Sequence, residues 1–85
     1  MEKNRWINKN TNMLFSAILK LKSVKEARKF FRDLLTEEEI LDFANRWRVA
    51  RMLDKGIPYS VIEKKTSMSS TTIARISKWL KKGMG

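Results

Sequence analysis

Apolar side chains recur every three or four residues along almost all of this chain, and nowhere do they alternate with polar ones. That periodicity belongs to helices that bury one side, not to strands. The chain has only three glycines and one proline, and its β-branched residues fall singly inside the helical pattern. The fold class is therefore all-α. Eighty-five residues predict a single domain over 1–85, and a chain so short buries only about 60% of the surface its unfolded form exposes. Cysteine and histidine are both absent, so disulfides and the usual metal staples are not available, and no metal site is expected. The hydrophobic content of 42%, with three Trp and four Phe, is enough for a core. Ample apolar surface on a small chain points to oligomerisation, with a well-packed monomer as the alternative.

Nineteen Lys and Arg stand against nine Asp and Glu, for a net charge of +10. An excess of that size attracts polyanions, either nucleic acid or an acidic membrane surface. The charge is uneven. Residues 1–30 carry eight basic and two acidic side chains, residues 31–52 four and five, and residues 53–85 seven and two. No apolar run approaches the roughly 20 residues of a membrane span. The opening residues are too polar for the apolar stretch of a secretory signal, so a cytoplasmic protein is expected.

Along the chain, residues 1–12 read as a polar arm broken only by Trp6 and Ile7. Met13, Leu14, Ala17, Ile18 and Leu21 then mark a first helix, with Phe15 and Leu19 on a second apolar line. Ser23 is a candidate N-cap for a second helix running from Val24 to about Leu35. Thr36 and Glu39 have the spacing of a capping box, and Glu37–Glu39 place three carboxylates where they complement the helix dipole. A third helix is thus predicted from Glu37 to about Lys55, ended by Gly56 and by Pro58, which cannot continue it. Like the first, it is apolar on more than one face, the pattern of a helix buried between partners.

The last third carries the function. A short helix begins at Pro58-Tyr59-Ser60 with Val61 and Ile62 turned inward. Ser67-Met68-Ser69-Ser70 interrupts it, and Ser69 or Ser70 caps a final helix over about 70–82 with Ile73, Ile76, Trp79 and Leu80 on one side. Two short helices joined by three or four residues form a helix-turn-helix, here over 59–82. Such a unit needs apolar residues where its helices pack, supplied by Ile62, Met68, Ile73 and Ile76 with Thr66 as a spacer. It needs small or basic residues where the second helix meets DNA, supplied by Ser69, Ser70, Thr71, Thr72, Ala74, Arg75 and Lys78. The recognition helix enters the major groove by its N-terminal residues, so Ser70, Thr71 and Ala74 lie where base edges would be. Many such turns carry glycine where Ser67 stands, at a cost to serine if the backbone there is left-handed. The bland alternative is a helical hairpin whose Ser/Thr run only caps a helix.

The pieces Leu34-Leu35-Thr36-Glu37, Arg46-Trp47-Arg48-Val49, the Gly56 turn and Thr71-Thr72-Ile73-Ala74-Arg75 resemble the Trp repressor family of bacterial transcription regulators. The resemblance covers Leu34 to Leu80, and the N-terminal third matches only in layout. It implies five or six helices, an intertwined homodimer, and two recognition helices about 34 Å apart on a palindromic operator of double-stranded DNA. It also maps the family's tryptophan-binding residues onto Thr36, Arg46, Thr72 and Arg75, a candidate effector pocket. Against that, a glycine under the indole corresponds to Ile76, and a serine that holds the amino group corresponds to Trp79. The resemblance therefore implies a branch that keeps the DNA-binding frame, with no cofactor and without L-tryptophan as effector.

Other clusters have plainer explanations. Arg46, Arg48 and Arg51 lie on the third helix, with Arg48 and Arg51 on one face, as partners for Glu37–Glu39 or Asp42 or as contacts for an anion. Lys20, Lys22, Lys25, Arg28 and Lys29 form a solvated basic face that could add phosphate contacts. An enzyme is not expected: there is no His or Cys, no glycine-rich phosphate loop and no isolated carboxylate pair. The rival class is a basic RNA-binding or protein-interaction module using the last two helices as a docking hairpin.

Overall fold

A computed structural model describes residues 4–83, and these form five helices with no strand. They are α1 (Lys9–Leu19), α2 (Val24–Leu34), α3 (Glu37–Asp54), α4 (Tyr59–Thr66) and α5 (Ser70–Gly83). Within a single chain the helices fall into two compact units, 1–35 and 36–85.

In the first unit α1 begins earlier than expected. The polar residues that read as an arm are its cap: Asn8 Oδ1 accepts from Thr11 N–H at 3.0 Å, and Thr11 Oγ1 accepts from Asn8 N–H at 2.9 Å. Two orphan donors are satisfied reciprocally, so helix replaces arm from Lys9 onward. Trp6 stands edge-on to Phe15 with ring centroids 6.4 Å apart. The first three residues of the expected arm lie outside the described residues. Ser23 caps α2 by accepting from Glu26 N–H. The polar face of α2 is charged, and Phe30 and Phe31 meet edge to face at 5.3 Å on its other side. No side chain of α1 or α2 is fully buried.

The second unit holds the core. Thr36 and Glu39 make the reciprocal cap of α3, with Thr36 Oγ1 accepting from Glu39 N–H and Glu39 Oε1 accepting from Thr36 N–H. The helix ends in a Schellman turn, with Gly56 N–H donating to Leu53 O at 3.0 Å and Ile57 N–H to Met52 O at 3.1 Å. Gly56 takes φ +77°, the left-handed conformation a glycine adopts without strain. Pro58 then starts α4. All three pairs among α3, α4 and α5 pack together. Val49, Ile62 and Ile73, one from each helix, are completely buried, with Met52, Leu53, Ile57, Met68 and Ile76 against them.

Two inward assignments fail. Val61 is exposed, because Ile62 and Thr66 are the residues of α4 that turn to the core. Trp79 is exposed too, because the inward stripe of α5 passes through Ile73 and a buried serine, Ser77. Trp79 falls outside that stripe.

Candidate nucleic-acid interface

The interface is built on the break between α4 and α5. Ser67 closes α4 with φ +60° and ψ +17°, the only left-handed residue among the described non-glycine residues. Its N–H donates to Glu63 O at 2.9 Å. This is the strained position at which glycine is common, and here an L-residue holds it. The helix therefore stops at Thr66, and after three intervening residues α5 starts at Ser70.

Ser69 is the cap of α5. Its Oγ accepts from Thr72 N–H at 3.2 Å and lies 3.0 Å from Thr72 Oγ1. Of the two candidate caps, Ser69 is the one engaged. Ser70, one position on, is the first helical residue and is exposed.

The faces of α5 separate sharply. Ile73 and Ser77 are buried, and Ile76 and Leu80 are half-buried. On the far side Ser70, Thr71, Ala74, Arg75 and Lys78 are exposed. Ser69 is exposed as well, while Thr72 is half-buried with its hydroxyl turned to Ser69. Thr72 thus differs from the other six predicted contacts in being half-buried, and it shares the capping contact with Ser69. No acidic residue lies anywhere in α5, and Lys64 and Lys65 make the last turn of α4 basic. Small hydroxyl and methyl groups stand near the N-terminus, with cations one and two turns further along. Such a face can approach base edges closely while its cations reach phosphates.

The four residues of the candidate effector pocket have different surroundings. The Thr36 hydroxyl caps α3, and the Thr72 hydroxyl engages Ser69. Arg46 and Arg75 are exposed. Ile76 packs on the core, and Trp79 stands one helical turn beyond Arg75 with 62% of its surface in water. Among the described residues no group of three acidic, His or Cys side chains is placed to hold a metal ion, and no helix is long and apolar enough to cross a membrane.

Two residues contribute in a way the sequence did not reveal. Asn45 Nδ2 donates to Thr66 O at 3.3 Å, and Arg48 Nη1 donates to Lys65 O at 3.3 Å. Both reach from α3 to the end of α4. Arg48, expected to meet a carboxylate or an anion, instead holds a backbone carbonyl. The hydrogen-bonding side chains themselves were visible, but partners 17 and 21 residues away leave no mark on local periodicity.

The comparisons with known proteins agree with this architecture. The profile of the family described as Trp repressor protein matches residues 9–85. An uncharacterised protein, YerC of Bacillus subtilis (strain 168), is 41% identical over 83 residues, covering 98% of this chain and 80% of that protein. A crystal structure of a TrpR-like protein from Eubacterium eligens ATCC 27750 superposes with a TM-score of 0.80 at 40% identity, covering 92% of this chain and 80% of the other. With the family match running from the first helix to the last and the five helices in place, this chain belongs to the Trp repressor family.

Proposed function

We propose that the protein is a sequence-specific DNA-binding transcription regulator, acting as a repressor, that reads a palindromic operator as a homodimer. The observation that carries this is the outward face of α5. Ser70, Thr71, Ala74, Arg75 and Lys78 are all exposed on a helix without a single acid, set off from α4 by a left-handed turn. In this reading Ser70, Thr71 and Ala74 approach base edges, Arg75 and Lys78 reach bases or phosphates, and Ser69 and Thr72 fix the start of the helix. Membership in a family of DNA-binding regulators, rather than enzymes, supports the same conclusion.

What a single chain leaves in water supports the dimeric part of this reading. Met13 is 64% exposed, Leu19 85%, Leu41 67% and Trp47 64%. A Leu side chain fully buried contributes about 1.5–3 kcal/mol, so apolar surface of this extent favours a second copy strongly. Two copies related by a twofold axis present two recognition helices, and the target acquires the same symmetry.

Free L-tryptophan does not fit as the effector. Ile76, packed on the core, places a branched side chain where the family has none, and Trp79, one helical turn beyond Arg75, replaces the serine hydroxyl with an indole that offers no equivalent acceptor. Calorimetric titration with L-tryptophan is expected to give no heat of binding; a micromolar dissociation constant would show that the pocket persists.

Selection of duplex DNA from a random pool tests the main proposal. The expected product is a palindrome with half-sites about one helical turn apart. Enrichment of single-stranded or structured RNA without half-site symmetry would favour a basic RNA-binding module, and binding to neither would favour protein interaction.

A further inference from the structure

Recognition helices are long levers. With 14 residues, α5 extends about 21 Å at 1.5 Å per residue, so a 10° change at the turn would move its far end by about 3–4 Å. At Ala74 and Arg75, five and six residues past Ser69, the same rotation amounts to about 1–1.5 Å, enough to stretch a hydrogen bond to a base edge out of range. Whatever fixes the turn therefore decides whether α5 can read a sequence, even without touching DNA.

The turn is intrinsically weak in two respects. Ser67 is an L-residue in the left-handed region, which favours reversion to an ordinary backbone. The last carbonyls of α4 have no helical partner of their own. Both weaknesses are met by side chains around Thr66. Its hydroxyl, buried, donates to Ile62 O at 2.7 Å and accepts from Met68 N–H at 3.3 Å, so it joins the two sides of the turn. Its carbonyl receives Asn45 Nδ2, and the carbonyl before it receives Arg48 Nη1. Asn45 is half-buried and the Arg48 cation sits at the negative end of the α4 dipole. A continuing helix would claim the Lys65 and Thr66 carbonyls for its own amides, so these donors favour the broken form.

We propose that Asn45 and Arg48 are positioning residues for sequence reading: by holding the Thr66 and Lys65 carbonyls from α3 they lock Ser67 in its left-handed turn and set the angle at which α5 is presented. They contact no DNA. They govern discrimination between sequences, whereas general affinity for duplex depends on the exposed cations. This rests on the DNA-reading function proposed above.

The test compares wild type with Asn45→Leu and Arg48→Met, each as the full chain. Binding to a duplex selected from a random pool and to an unselected duplex is measured across salt concentrations, with amide hydrogen exchange at Ser67 and Met68 alongside. Each substitution is expected to lower the ratio of selected to unselected affinity about three- to tenfold, the scale of one hydrogen bond. Unselected affinity and the salt slope should stay as in wild type, and both amides should exchange faster. Should Asn45→Leu lose helicity by circular dichroism, Asn45→Ser, whose hydroxyl is too short to reach Thr66, replaces it.

An unchanged ratio in both variants overturns the proposal. So does unchanged exchange at both amides. A parallel loss on both duplexes with a salt slope reduced by about one in Arg48→Met would place Arg48 on a phosphate instead. Wild-type protein that cannot tell the two duplexes apart overturns the functional reading itself and the discrimination role with it, and faster exchange in the variants would then identify a brace of stability alone.

Discussion

At Ser67 one side chain shows what the chain gives up to make its turn. An L-residue in the left-handed region costs about 1–2 kcal/mol, and glycine removes that penalty at the expense of a more flexible unfolded chain. Ser67→Gly is therefore expected to stabilise the protein by about 0.5–1 kcal/mol. Urea unfolding at matched protein concentration is the check, and a lower midpoint would mean that the Ser67 side chain contributes a contact of its own. The sequence marked this position as the turn, because serine stood where glycine is common. It did not mark Thr66, whose hydroxyl joins both sides of the turn, since a buried threonine and a tolerated one look alike in a pattern. The caps were plainer: Ser23, Thr36 with Glu39, and Gly56 are local devices, and each works where spacing alone placed it. Asn8 with Thr11 is the same kind of device, and its polar residues read instead as an arm.

Among the elements, α5 separates what periodicity can show from what it cannot. Its inward stripe was assigned by hydrophobicity to Ile73, Ile76, Trp79 and Leu80, yet packing chose Ser77 and left Trp79 out. A side chain as small as serine can be buried between packed helices, and an indole does not need to be inside merely because it is apolar. The outward face was legible because small, hydroxyl and basic residues cluster there without an acid. That face yields the sharpest prediction about the element. Replacing Thr71 and Arg75 together by alanine should cost about 1–3 kcal/mol of discrimination for each good base contact removed. Circular dichroism should show α5 intact, because both side chains are exposed and alanine favours helix. Competition binding between the selected duplex and its scrambled counterpart measures the difference. Loss of affinity for both alike would reduce Thr71 and Arg75 to backbone contacts.

For the whole molecule, the sequence predicted the helical class and the surplus of apolar surface, but it could not say which of that surplus one chain leaves open. First and third helices apolar on several sides left this choice unresolved, because hydrophobicity does not distinguish a partner within the chain from one in a second chain. Leu19 offers a clean test, since it is 85% exposed. Changing a residue so exposed should alter the stability of a lone chain by no more than about 0.5 kcal/mol. Leu19→Asp, if Leu19 is buried by a second copy, would put a carboxylate into that contact and raise the dimer dissociation constant at least about tenfold. Sedimentation equilibrium distinguishes these outcomes, and an unchanged monomer–dimer balance would place Leu19 outside the contact.

Trp6, Trp47 and Trp79 lie on different segments, and each has more than half its surface exposed in the single chain. The protein thereby carries its own optical gauge. Dilute, unassociated chains would emit like indole in bulk solvent, at long wavelength, and any docking that shelters a ring would shift that emission to the blue. Trp6→Phe, Trp47→Phe and Trp79→Phe, introduced singly, would assign the shift to one segment. Whether the operator, the twin chain or a small effector closes over each ring could then be followed by titration, with no dye attached.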